Sequence, residues 1–164
     1  MRSTSILFSG TFALILCATA HSQDWQLSVT GEVKHPVTFA QADFATLPRR
    51  AVVVPDSKGR SVEYRGVPLF ELLLRAGAPS GDSIHGKNLV LYLEAGARDG
   101  YKVVYALPEI DTLFTDRTIL VADTKNGGPL DEKERPLEII VPGEKKHTRW
   151  VRQLDSLTVI RSRL

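Results

Sequence analysis

The residues best placed to do chemistry lie in the segment Pro142-Gly143-Glu144-Lys145-Lys146-His147-Thr148-Arg149-Trp150-Val151-Arg152. Lys145, Lys146, Arg149 and Arg152, with His147 beside them, gather cationic donors around a glycine turn that follows an apolar run. Such a loop can hold phosphate or another anion through charge-assisted hydrogen bonds, with backbone N–H groups near Gly143 assisting. The same charges also suit a solvated loop that keeps a surface soluble, and spacing alone leaves both readings open. Trp150 fits core or hinge packing better than a ring that stacks on a ligand. Other chemistries find little support. No G-x-S-x-G elbow occurs, and the one cysteine, Cys17, lies in an apolar leader, so nucleophilic hydrolysis is disfavoured. His21, His35, His85 and His147 lack the spacing that puts two ligands on one helix face, and Asn126-Gly127-Gly128 has neither the Lys-Ser/Thr of a P-loop nor dinucleotide-type glycines.

The elements that must position this loop can be read along the chain. Met1-Arg2, an apolar run from Ile6 to Leu16 and Ala18-Thr19-Ala20 form the three parts of a cleavable export signal, expected to occupy residues 1–20. The mature protein is then expected in the periplasm or secreted, with no membrane span after cleavage and no thiol. From residue 24 to 164 no linker, repeat or charge block intervenes, so one domain is expected. The formal net charge of +2 in 164 residues gives no reason to expect nucleic acid as a partner. Trp25-Gln26-Leu27-Ser28-Val29-Thr30-Gly31 alternates like a half-buried strand. Thr38 reads as the N-cap of a short helix over residues 39–47, ended by Pro48. Leu69, Leu72, Leu73 and Ala76 fall at i, i+3, i+4 and i+7 between Pro68 and Gly77, the stripe of a helix packed on a sheet. Strands are expected over residues 51–54, 61–64, 89–93, 102–105, 119–122, 137–141 and 154–160, with a helical turn opening at Leu107-Pro108-Glu109. Short, unevenly placed helices among these strands predict an α+β domain rich in strands.

In this order the segments resemble the molybdopterin-binding domain of the sulfite oxidase family. Tyr64-Arg65-Gly66-Val67-Pro68-Leu69-Phe70-Glu71-Leu72-Leu73-Leu74-Arg75-Ala76-Gly77 is similar to its "w-x-G-v-p-L-x-x-L-L-x-x-a-G" block, and Asp99-Gly100-Tyr101 to its "d-G-Y". Ile119-Leu120-Val121-Ala122 with Asn126-Gly127-Gly128-Pro129-Leu130 resembles "lla-x-x-x-n-G-x-p-L". Pro136-Leu137-Glu138-Ile139-Ile140-Val141-Pro142-Gly143 with Arg149-Trp150-Val151 resembles "P-l-r-l-v-v-P-g … K-W-v". The resemblance spans about residues 27–160. It implies a mixed, strand-rich α+β fold with short helices, a molybdenum held by the dithiolene of molybdopterin, and two-electron redox chemistry. It further implies a cysteine thiolate on the metal, upstream of the "G-v-p-L" block. Here that stretch is Val52-Val53-Val54-Pro55-Asp56-Ser57-Lys58-Gly59, without cysteine. Asp56 or Ser57 could supply oxygen instead, although both suit a turn ahead of Gly59. Arg149 stands at the family's lysine, so a cationic contact to a pterin phosphate is retained in kind.

The expected cofactor- or ligand-binding residues are therefore Arg65, Asn126, Lys145, Lys146, His147 and Arg149. The expected role is a non-catalytic binding or accessory module for a small anionic or pterin-like ligand, or for an exported redox protein. The alternative is an oxidoreductase whose molybdenum has a ligand other than cysteine.

Overall fold

Buried and exposed positions alternate from Leu27 onward, and the backbone pairs accordingly. The structure, a computed structural model, describes residues 24–56 and 58–162; the expected export signal, with His21 and Cys17, and Ser57 lie outside them. Ten strands form two sheets. The first contains β1 (Gln26–Gly31), β2 (Val37–Ala40), β5 (Leu91–Ala97), β6 (Lys102–Ala106) and β10 (Leu154–Arg161), in the order β2-β1-β10-β5-β6. β1 and β10 run parallel with Ser28 opposite Ser156, and the other neighbours are antiparallel. The second contains β3 (Arg50–Pro55), β4 (Ser61–Pro68), β7 (Leu120–Lys125) and β8 (Gly128–Pro129) in that order, with β9 (Glu138–Ile140) also paired to β7. The class is the strand-rich α+β one that the segment order predicts.

Helix α2 (Leu69–Arg75) is the element most fully written in local sequence. Leu69, Leu72 and Ala76 are completely buried and Leu73 nearly so, so the predicted stripe faces the core. Burying each leucine contributes about 1.5–3 kcal/mol relative to exposure. Its first N–H, on Leu69, donates to the carbonyl of Ile119 at 2.9 Å, which removes one orphan donor of the first turn. The helix ends where Gly77 turns to φ +69, with Ala78 N–H bonded to Leu73 O and Gly77 N–H to Leu74 O, a Schellman closure. Pro68 ends β4 and stands at the N-cap, so the helix lies between Pro68 and Gly77 as the stripe predicts.

The other helix is shorter than predicted. Thr38 is not an N-cap: residues 37–40 form β2, paired antiparallel to β1 with Leu27 opposite Phe39, and only Gln41–Ala45 forms helix α1. Pairing with β1 satisfies the backbone of Val37 and Thr38, and their β-branched side chains suit a strand. Ala40 N–H instead bonds the Asp43 carboxylate at 3.3 Å. Phe44 is fully buried and meets the Trp25 ring edge-on at 5.3 Å.

Gly66 explains part of the sequence block that contains it. β4 slips register against β7 between Arg65 and Gly66, and a Cβ at Gly66 would lie 2.0 Å from the Val121 carbonyl oxygen. Only a residue without a side chain lets the two backbones approach this closely.

Candidate functional site

The basic loop leaves the end of β9 through Val141, which is fully buried, and turns at Gly143 with φ +82. It closes in a single turn of 3-10 helix, His147–Arg149. Trp150 then anchors it: the ring is 8% exposed and its Nε1 donates to the Val141 carbonyl at 3.2 Å. His147 stacks on the other side of the indole at 3.7 Å with planes 10° apart, while Tyr64 meets it edge-on at 5.7 Å. Lys125 Nζ lies 5.6 Å from the Tyr64 ring. The sequence His147, Trp150, Tyr64, Lys125 thus links the loop to β4 and to the β7 end of the Asn126 turn. Trp150 is core packing, as its type and position suggest.

Arg149 is not a free cation. Its Nη1 donates to both oxygens of Glu109 at 3.1 Å, its Nη2 to Glu109 Oε2 at 3.1 Å, and its Nε to Glu144 Oε1 at 2.7 Å, with a second short contact from Nη2 to that oxygen. Arg117 reaches Glu109 at 3.2 Å as well. The guanidinium also lies 5.1 Å from the Tyr105 ring, whose hydroxyl donates to the Arg149 carbonyl. Burial holds the Tyr105 hydroxyl well above its ordinary range, so it acts as a donor at neutral pH. Tyr101 OH donates to the Thr148 carbonyl at 2.5 Å. The loop is therefore fixed from β6, and the cation that the resemblance assigns to a phosphate is neutralised by two carboxylates.

The other expected residues divide. Lys145 and Lys146 are exposed on the same loop and, among the described residues, have no ion pair or side-chain hydrogen bond. Asn126 adopts φ +48 in the β7–β8 turn; its N–H donates to Glu63 O at 2.8 Å and its Oδ1 accepts from Glu63 N at 3.0 Å. That geometry commits the side chain to closing the turn. Arg65, side chain 56% exposed, lies 3.8 Å from Glu63, two residues away on the β4 face opposite Tyr64, so alternation directs it away from the Trp150 stack. The structure links His147, through Trp150 and Tyr64, to the Asn126 turn, sets Arg149 apart against Tyr105 and Glu109, and leaves Arg65 outside.

At the place where the resemblance puts a thiolate, Asp56 organises a hairpin turn. Its Oδ1 accepts from Lys58 N at 2.8 Å and Arg60 N at 2.9 Å, and its Oδ2 from Arg60 Nε at 2.7 Å. The backbone and side-chain hydrogen bonds from Arg60 hold its carboxyl at about 2, against 3.8 ordinarily. A molybdenum ligand would have to break this set. Among the described residues no three His, Cys, Asp or Glu side chains come together as a ligand group. With Asp56 and Arg149 both saturated, the residues present do not fit a metal-bearing pterin, and no redox step follows from them.

Sequence reasoning missed one group. Glu138 on β9 is 1% exposed; its Oε1 is 3.4 Å from Arg152 Nε and its Oε2 has no hydrogen-bond partner. Burial, then the nearby Glu134 charge, pushes its carboxyl up from 4.5 to about 7. Glu134 itself is held by Lys125 at 2.9 and 3.1 Å. Burial, then the Glu138 charge, lifts the Tyr64 hydroxyl to about 12. The signal was present in Leu137-Glu138-Ile139-Ile140-Val141, where one acid interrupts an apolar run.

Two sheets joined by one core, with a Trp-anchored loop after β9, define a domain of the molybdopterin-binding type. The model of the oxidoreductase molybdopterin-binding domain family matches residues 16–163, and the chain belongs to that family. Among solved structures it is similar to the sulfane dehydrogenase SoxCD from Paracoccus pantotrophus, with a TM-score of 0.67 and 21% identity over 84% of this chain. The match spans 38% of that longer chain, so the likeness is one of fold. No curated protein matches the sequence.

Proposed function

We propose that this chain is an exported, non-catalytic member of its family, a ligand-binding or accessory module that takes a small anionic or pterin-like ligand or attends an exported redox protein. The observation that carries this reading is the saturation of Arg149 by Glu109 and Glu144. The residue standing at the family's phosphate-facing lysine is turned inward to hold its own loop. The Asp56 turn supports the same reading, because its carboxylate accepts three hydrogen bonds from Lys58 and Arg60. Export rests on the leader pattern of residues 1–20.

The second reading, an oxidoreductase with a non-cysteine molybdenum ligand, is favoured by family membership. Metal analysis separates the two. Protein purified from a host that makes the molybdenum cofactor is expected to carry molybdenum at background level, and near-stoichiometric metal overturns the non-catalytic reading. Fractionation of that host, with N-terminal sequencing, tests export: the expected mature chain begins at His21, and full-length protein in the cytoplasm overturns it.

A further inference from the structure

A second group of cations stands apart from the basic loop. A cleft of about 1180 Å³ opens where the β5–β6 turn, the connection from β8 to β9 and the approach to β10 meet, with Arg98, Lys133, Arg135, Asp123, Gln153 and Trp25 among its walls. None of the six residues singled out from the sequence lines it.

Its charge is segregated. Among the described residues Arg98, Lys133 and Arg135 make no side-chain hydrogen bond and no ion pair, although Arg135 and Asp131 attract one another at longer range. Of the carboxylates nearby in sequence, Asp99 accepts from the Tyr101 N–H at 2.9 Å in the β5–β6 turn, and three others are held by cations of their own. Asp123 is bound end-on by both terminal nitrogens of Arg49, and Asp131 and Glu134 are both bound by Lys125, at 2.6 and 2.9 Å. Glu132 is the one remaining acid of the wall. Two positive charges are therefore left in excess in a concave site, where neighbouring protein focuses their field.

The three loops are also tied to one another through the backbone. Arg98 N–H donates to Gln153 O at 3.1 Å, and Gln153 N–H to Glu134 O at 3.1 Å, with Gln153 itself at φ +51. A left-handed backbone at a residue with a long side chain is strained, and it is held here between the segments that carry Arg98 and Arg135. The cations are mounted on segments whose relative positions are fixed in advance.

We propose that this cleft binds an organic phosphate. Two guanidinium forks and one ammonium match a phosphoryl dianion, because planar forks form paired hydrogen bonds to its oxygens. The volume is far larger than an inorganic ion needs, and Trp25, Pro129 and Pro136 give the rest of the ligand apolar wall. The assignment deepens the binding-module reading and rests on it. Molybdenum in the purified protein would overturn that reading, whereas failed binding in molybdenum-free protein overturns this assignment alone.

The test is calorimetric titration of the purified, molybdenum-free protein at low ionic strength with phenyl phosphate, inorganic phosphate and glutarate. Phenyl phosphate is expected to bind most tightly and with one site. Arg98→Gln and Arg135→Gln are expected to weaken it at least about tenfold each, since a lost charge-assisted pair is of that size. Lys145→Gln with Lys146→Gln should leave it unchanged. All the substituted side chains are exposed, and unaltered melting curves identify variants that fold. Absence of saturable binding overturns the proposal. So does equal or tighter binding of glutarate or inorganic phosphate, or a loss that follows Lys145 and Lys146 instead of Arg98 and Arg135.

Discussion

Two arginine–carboxylate contacts lie within a few residues of each other, and they are built in opposite ways. Arg149 sits at the surface of the basic loop, a third exposed, with every guanidinium nitrogen directed at Glu109 or Glu144. Glu138 lies in the core with one cation in contact, Arg152, at 3.4 Å and largely in solvent, and Lys125 acting from farther off. In the first pair burial also opposes the charge, but the bonds from Glu144 and Glu109 outweigh it and hold Arg149 above its ordinary range. In the second, desolvation dominates and the carboxyl keeps its proton toward neutrality. The difference shows that proximity to an arginine does not by itself offset burial: one long contact leaves the Glu138 carboxyl raised.

The largest expected effect lies at Glu138. The folded state holds a proton more tightly than the unfolded chain, so stability should fall as pH rises from about 4.5 toward 7, by up to roughly 3 kcal/mol. Glu138→Gln should flatten that slope and stabilise the protein at pH 8. Urea unfolding at pH 5 and 8 measures both, and an unchanged slope in the variant would remove the distinction between the two pairs. Arg149→Ala comes next, with an expected loss of about 1–2 kcal/mol at pH 7, since Glu144 loses its cation and Glu109 keeps only Arg117, at 3.2 Å. A double-mutant cycle with Glu109→Ala should return a coupling of about 1 kcal/mol. A coupling near zero would mean that the geometry carries no energy. Glu144→Gln sharpens the comparison from the other side: it removes one of the two carboxylates on Arg149 and should cost less than Arg149→Ala, about 0.5–1 kcal/mol in the same urea assay. Lys145→Ala should change stability by less than about 0.5 kcal/mol in the same urea assay, as for an unpartnered surface residue.

Local signals explain what was legible in the sequence. The α2 stripe and its Gly77 stop depend on neighbours within a few positions, and each is in place. The predicted helix at Thr38 failed because β1 pairs with residues 37–40, an interaction that a helical spacing count does not contain. The basic loop was visible as a run of charges, but its state was not. Glu144 stood five residues from Arg149 in plain view, whereas Glu109 is forty residues away and meets it only once β6 and its following turn are placed. The cleft was hidden for the same reason, since Arg98 and Arg135 belong to segments that come together only through Gln153.

The position of β10 has a consequence for the order of synthesis. This last strand lies in the middle of its sheet, between β1 and β5, and pairs Ser28 with a residue 128 positions later. Until the ribosome has released Leu154–Arg161, the β1–β2 hairpin and the β5–β6 hairpin have no strand to join them. Closure across so long a separation is slow. The two hairpins can form early and on their own, and the step that joins them into one sheet waits for the strand that lies between them.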